Sequence, residues 1–311
     1  IGHKTAELLL RDGYRVIGVD NMNDYYDVRL KEYRLNLLAG NGGFQFHEID
    51  IEQKDKLRLL FESNSIDAVM NLAARAGVPY SLENPKVYVS TNLQGSLNLL
   101  ELAKDYNIKK YVLASTSSIY AGEEMPFSED CAVNSPISPY AASKKGAELM
   151  AYTYHYIHGI DVTVLRYFTV YGPAGRPDMS IFRFIKWIDE GTPITLFGDG
   201  TQSRDFTFVD DIAGGTIKSL KKVGYEIMNL GGGKPPVSLL TVIEMIEKKL
   251  GKKANIKSEQ FQKTDMQETR ADVSKAKKLL DWIPEVGFEE GLDRTVAWYK
   301  ENKSWLQGIE V

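Results

Sequence analysis

Apolar positions along the amino-terminal half of the chain fall into two alternating rhythms. Ala6, Leu9 and Leu10 share one helical face, and that pattern stops at Arg11-Asp12-Gly13. Tyr14–Asp20 follows, a mostly apolar run short enough to be a buried strand. Further along, Phe44–Asp50 predicts a strand, Gln53–Glu62 a helix and Asp67–Leu72 a strand. Val87–Tyr106 predicts one long helix, Tyr111–Ala114 a strand, Pro139–His158 a helix and Val162–Tyr167 a strand. Strands separated by helical patterns require parallel pairing, right-handed crossovers and helices on both faces. The expected fold is therefore α/β, a doubly wound parallel sheet of Rossmann type, with ligand sites at the carboxyl ends of its strands.

Beyond Phe168 the rhythm breaks at Pro173, Gly175 and Pro177, and shorter elements follow in a less regular order. Residues 1–168 are expected to form a dinucleotide-binding domain. Residues 169–311 are expected to form mostly a smaller, mixed α/β substrate domain. Segments near 210–232, among them Glu226–Leu230, are expected to return to the sheet. A helix followed by a strand ending in Asp is the second half of a dinucleotide-binding βαβ unit. Gly2 then reads as the last glycine of a G-x-x-G-x-x-G loop whose earlier part, with the first strand, lies before residue 1.

Composition narrows the classes. The 311 residues carry 38 Lys+Arg against 42 Asp+Glu, a net charge of −4, which is not the footprint of a nucleic-acid binder. Hydrophobic and charged fractions of 43% and 26% exclude disorder and coiled coil. No apolar run approaches the roughly 20 residues that span a bilayer, and the opening residues lack the basic and apolar regions of a signal peptide. The single cysteine, Cys131, excludes an internal disulfide framework and fits a reducing cytosol, so a cytoplasmic protein is expected. His3, His47, His155 and His158 form no metal-ligand motif, and no metal is expected.

Asp20 ends its strand 18 residues after Gly2, the distance at which a carboxylate accepts ribose hydroxyls. It repels a 2′-phosphate, and Asn21, Met22 and Asn23 supply no Arg to bind one, which favours NAD over NADP. Asp50-Ile51, after the next strand, sits where an adenine can rest. Tyr-x-x-x-Lys occurs three times, at Tyr106…Lys110, Tyr140…Lys144 and Tyr299…Lys303. Tyr106…Lys110 straddles a helix end and a strand start, and Tyr299…Lys303 lies among charged residues of the tail. Only Tyr140…Lys144 falls at the start of an unbroken helix opened by Pro139, where i and i+4 share a face. An ammonium about 4 Å from a phenol favours the phenolate by roughly 4 kcal/mol at an effective dielectric near 20, about 3 pKa units before desolvation. Lys144 is thus expected to turn Tyr140 into a general base near neutrality. The hydroxyl-rich turn Ser115-Thr116-Ser117-Ser118 at a strand end is placed to bond a sugar hydroxyl, with Thr116 passing its proton to Tyr140.

Taken together, these residues resemble the extended short-chain dehydrogenase/reductase family, and within it the nucleotide-sugar epimerases. Asn71-Leu72-Ala73-Ala74 is similar to the segment that lies along the cofactor, and the stretch around Asn92 to the helix after it. Arg166-Tyr167-Phe168-Thr169-Val170-Tyr171-Gly172-Pro173 is similar to the strand and turn joining cofactor and sugar sites. Gly198-Asp199-Gly200 with Arg204-Asp205-Phe206-Thr207-Phe208-Val209-Asp210-Asp211 is similar to the nucleotide clamp. The resemblance implies cofactor contacts from Leu72, Ala73, Ala74, Asn92, Ser115 and Tyr167, besides Gly2, Asp20, Asn21, Asp50, Ile51, Tyr140 and Lys144. It implies substrate contacts from Ser117 and Thr169, and diphosphate clamping by Arg204 and Arg270. Family dehydratases place Asp-Glu after the strand-end threonine; here Ser117 and Ser118 stand there, which favours epimerisation over elimination. Gly175-Arg176-Pro177-Asp178-Met179 resembles a signature of the UDP-glucuronate 4-epimerase branch, with Arg176 meeting the uronate carboxylate. Pro79, where that branch often carries Arg, keeps UDP-glucose and UDP-N-acetylglucosamine open as substrates. The implied reaction is C4 epimerisation through a transient 4-keto sugar, and the implied assembly is a homodimer.

Overall fold

The computed structural model describes residues 1–260 and 266–311. Five strands of its first half are β1 (Val16–Asp20), β2 (Phe44–Glu48), β3 (Ala68–Asn71), β4 (Lys110–Thr116) and β5 (Asp161–Tyr167). β3, β4 and β5 pair in parallel, and Tyr225–Leu230 joins the outer side of β5, also in parallel. β1 and β2 form a separate parallel ladder in which Asp20 stands opposite Glu48.

β4 is buried along its whole length, as a strand covered on both faces must be. Its alternation shows the two layers directly. Tyr111 and Leu113 pack with Leu57, Phe61, Leu100, Ala147 and Ala151 of the helices on one side. Val112 and Ala114 pack with Ile212, Leu280 and Trp282 on the other. A third core gathers Tyr171, Phe182, Ile185, Phe208, Val242, Ile246 and Tyr299 of the second half. Leu30 joins this third core from the helix Val28–Leu38, which the apolar pattern did not reveal. The leucines of that helix are spread around its circumference, so no single stripe marks it. Asp27 caps it by accepting from the Arg29 N–H at 3.0 Å.

The helix that carries Tyr140 runs Pro139–His158 as expected. Ser138 caps it, accepting from the Ala141 N–H at 3.2 Å, and Gly159 ends it in the left-handed conformation. The long helix expected over 87–106 is interrupted. Short α-helix Pro85–Tyr88 leads into a π-helical stretch Val89–Gly95, and α-geometry resumes over Ser96–Asp105. The wider turn carries Asn92 inward, and a Cβ on Gly95 would stand 2.5 Å from Ile51 Cδ1, so the backbone sits flush on Ile51. A local widening of this kind leaves the apolar period almost intact, so periodicity alone does not reveal it.

Candidate active site

The carboxyl end of β4 delivers Thr116, and the first turn of the Pro139–His158 helix brings Tyr140 to it. Thr116 acts on the Tyr140 phenol, drawing its pKa down, while the Tyr140 ring meets Tyr88 edge-on at 6.0 Å. Thr116 also bonds its own turn: its Oγ1 lies 3.1 Å from Ser118 Oγ and accepts from the Ser118 N–H at 3.1 Å. Lys144, one helical turn on, is 2% exposed.

The electrostatics differ from the expectation that Lys144 depresses the Tyr140 pKa. Burial pushes the phenol above its ordinary range; the Thr116 hydrogen bond and the Arg176 charge pull it back in part. The lysine is itself penalised by burial, its pKa lowered to about 8, with the Glu148 charge acting in the opposite direction. Helical spacing conveys the attraction between the two charges but not the desolvation of both groups, which is the larger effect here.

Arg176 reaches this centre from the Gly172–Asp178 turn. Its guanidinium donates from Nε to Asp178 Oδ1 at 3.0 Å and its second contact to Asp178 comes from Nη2. It also lies 5.6 Å from the Tyr25 ring centroid. Arg34 braces the same turn by donating to the Ala174 and Gly175 carbonyls at 2.8 and 3.1 Å. Beside the turn after β4 lies a cavity of about 110 Å³ lined in part by Ser117, Ser118, Thr169, Arg204 and Thr269. Arg270 follows Thr269, and its Nε is buried without a partner among the described residues. Asp205 holds the surrounding loops, accepting from Gly233 N–H at 3.1 Å and Ala271 N–H at 2.8 Å. The glycine triplet 231–233 thus serves a turn.

On the cofactor side, Gly2 opens its helix against Leu72. Asp20 ends β1 with its carboxylate half exposed; it accepts from the Met22 N–H at 2.8 Å and from Lys31 Nζ at 3.1 Å. Asn21 donates to Asp50 at 2.6 Å, which ties the ends of β1 and β2 together. The Ile51 side chain belongs to the core, and Ala73 and Ala74 continue the loop after β3. Three residues are turned toward structural partners. The Asn92 amide clasps the backbone of Arg75 and donates to Ser143 Oγ at 2.9 Å. Ser115 donates to Glu148 at 2.6 Å, and Tyr167 pairs with Thr216 at 2.8 Å. His155 bonds the Ile160 carbonyl, as a packing group does.

These residues fit NAD. The half-exposed Asp20 carboxylate suits ribose hydroxyls, and the buried Lys144 ammonium, a donor-only group, suits a ligand that brings oxygen atoms to it. The orphaned Arg270 Nε likewise suits an anionic diphosphate. Among the described residues no three His, Cys, Asp or Glu side chains gather as a metal site would require.

Sequence reasoning missed Tyr25, Arg75, Tyr88, Lys31 and Glu148. Tyr25 takes both Arg75 and Arg176 within 5.6 Å of its ring centroid, and a Cβ on Gly77 would meet its hydroxyl at 2.6 Å. Glu148 had a visible signal, since it continues the spacing from Tyr140 and Lys144 by four residues. Tyr25 had none, because a Tyr-Tyr pair in a loop carries no period.

Residues 1–231 match the NAD dependent epimerase/dehydratase family. A UDP-glucuronate 4-epimerase of Thermodesulfobacterium geofontis is 61% identical over 311 residues, covering 100% of this chain and 96% of the relative. Among solved structures, UDP-glucuronic acid 4-epimerase of Bacillus cereus, in complex with UDP-glucuronic acid and NAD, superposes with a TM-score of 0.91 at 37% identity. That match covers 97% of this chain and 96% of the other. A UDP-glucose 4-epimerase of Thermotoga maritima, bound to UDP-glucose, gives 0.88 at 30% identity with the same coverage, 97% and 96%.

Proposed function

The chain belongs to the NAD dependent epimerase/dehydratase family, and from that membership and the site's geometry we propose that it interconverts UDP-glucuronate and UDP-galacturonate by epimerisation at C4. The observation that supports the reading is a cavity lined by Ser117, Ser118 and Thr169, next in sequence to the Thr116 that, with the Arg176 guanidinium, acts on the Tyr140 phenol. No carboxylate takes the place of Ser117 or Ser118, so the strand-end turn has no acid–base group for eliminating water.

Tyr140 removes the proton of the C4 hydroxyl and later returns it, with Thr116 bridging phenol and sugar. NAD, when bound, supplies the oxidation and re-reduction of C4. Lys144 holds the cofactor ribose and keeps positive charge near the phenol. Arg204 and Arg270 grip the diphosphate while Ser117 and Thr169 hold the sugar more loosely, so that the 4-keto sugar can present its other face. Arg176 takes the uronate carboxylate. Residues 1–168 with the returning segments near 210–232 form the cofactor side, and the remainder forms the sugar side.

Incubation with UDP-glucuronate should give UDP-galacturonate at unchanged mass, with product stereochemistry scored by NMR. A product lighter by water or carbon dioxide would replace epimerisation with dehydration or decarboxylation.

A homodimer in the cytoplasm completes the reading. Leu149, Tyr152 and Tyr156 fall at i, i+3 and i+7 on the Pro139–His158 helix and are 57%, 48% and 78% exposed, an apolar stripe opposite the buried Ala147 and Ala151. A second copy of the same helix is the occupant we assign to it. Light scattering should give twice the 35.0 kDa chain mass, and Leu149→Arg with Tyr156→Arg should return it to a single chain. No helix among the described residues is long and apolar enough to cross a membrane.

A further inference from the structure

The buried polar groups that this chemistry leaves unused form one connected web, and it begins one helical turn past Lys144. Glu148 is 1% exposed. Arg166, equally buried, meets its carboxylate from Nε at 3.0 Å and from Nη2 at 2.9 Å, and Ser115 donates at 2.6 Å. Arg166 Nη1 donates to the Tyr120 hydroxyl at 2.8 Å, and Tyr120 donates to Asn229 Oδ1 at 2.8 Å. The Asn229 amide then reaches the carbonyls of Phe127 and Asp272 at 2.9 and 3.1 Å, two residues past Arg270. The web joins β4, β5, the outer strand, the Tyr140 helix and the segment that bears Arg270.

Stability alone does not call for such a web, because the desolvation of a buried ion pair offsets much of its Coulomb gain. Its position suggests a use. Lys144 is a buried cation, and Glu148 stands at i+4 from it on the same helix face. We propose that Glu148 is a positioning residue for the proton-transfer pair: pinned by Arg166 and Ser115, its carboxylate is the counter-charge that keeps the Lys144 ammonium charged next to Tyr140. This inference rests on the roles given above to Tyr140 and Lys144.

The charged and titratable groups around Glu148 leave it as the anion that acts on Lys144. Its own helix supplies Lys144 and Lys145, the latter 3.5 Å from Oε2; β5 supplies Arg166 and the turn after β4 supplies Tyr120. The outer strand supplies Tyr225, whose hydroxyl donates to the Glu148 carbonyl at 3.3 Å. Burial works against the Glu148 carboxylate, but Arg166 and Ser115 overcome it and hold the group ionised below the usual range. Loss of that anion favours the neutral amine, so the Lys144 titration moves toward acid.

The test is an NMR titration of the Lys144 side-chain nitrogen in the cofactor-free protein, assigned with Lys144→Arg. The native amine should titrate near pH 8. Glu148→Gln should shift that midpoint acid-ward by about one unit or more, and the alkaline limb of turnover should follow it. Glu148→Asp should leave both near native values. Glu148→Gln with Arg166→Met removes both buried charges, leaves neither unpaired, and should show the same acid-ward shift. A midpoint unmoved in either folded variant overturns the proposal, as does failure of both to fold, which would make the web structural. A native protein that never epimerises instead refutes the reading of function, and the titration still reports on Glu148.

Discussion

Replacing Tyr140 with Phe is expected to lower interconversion of the two UDP-uronates by about three orders of magnitude or more, while UDP binds unchanged. General acid–base groups contribute about 10²–10⁴-fold, and here one phenol serves both proton removal and proton return. The substitution removes a single oxygen. The ring keeps its edge-on contact with Tyr88, and the Ser138 cap of the helix is untouched. The loss should therefore appear in kcat, not in stability. Burial holds the native phenol above its ordinary pKa. Positive charge must offset that penalty before Tyr140 can act as a base, and Arg176, Lys144 and the bound cofactor are its sources on this reading. Full turnover by Tyr140→Phe, measured by product NMR alongside calorimetric titration with UDP, would remove this residue from the mechanism.

Local pattern reached far in this chain and stopped at identifiable places. The parallel strands announced themselves because β4 and β5 are buried almost throughout and read as short, largely apolar runs. Thr116, Tyr140 and Lys144 were legible because helical spacing and a strand-end turn are both local properties. What escaped depends on contacts made across the chain. The helix Val28–Leu38 is held by Leu30 in a core more than 140 residues distant in sequence, so its own amphipathic period is weak. The π-helical stretch Val89–Gly95 exists where Asn92 clasps the Arg75 backbone, a pairing with no sequence spacing to betray it. The direction of the Tyr140 shift was misjudged for a related reason. Spacing gives the distance between two groups on a helix, but burial is set by everything packed around them.

Arg176→Ala is expected to cost about 10²–10⁴-fold in kcat/KM for UDP-glucuronate and much less for UDP-glucose. Hydrogen bonds to charged groups are worth about 1.5–3 kcal/mol each, and about 1.4 kcal/mol is a factor of ten, so losing two gives that range. The geometry leaves room for such a pair. Asp178 occupies the Nε and Nη2 edge of the guanidinium, and the planar fork still has the Nη1–Nη2 end to offer a second carboxylate. Asp178 therefore orients the arginine without using up its donors. Arg176→Lys should recover only a small part of the loss, since a point charge cannot reproduce a bidentate contact. A second consequence has a fixed sign. Arg176 lowers the Tyr140 pKa, so its removal should move the acid limb of UDP-glucose turnover toward higher pH. With UDP-glucuronate the same movement should be smaller, because the bound carboxylate already offsets part of the guanidinium charge. Unfolding should change little, as Arg176 and Asp178 are each 27% exposed and pairs open to solvent contribute about 0–1 kcal/mol. Equal losses on the two substrates, with no displacement of the acid limb, would make Arg176 a prop for its proline-rich turn and return substrate choice to other residues of the cavity.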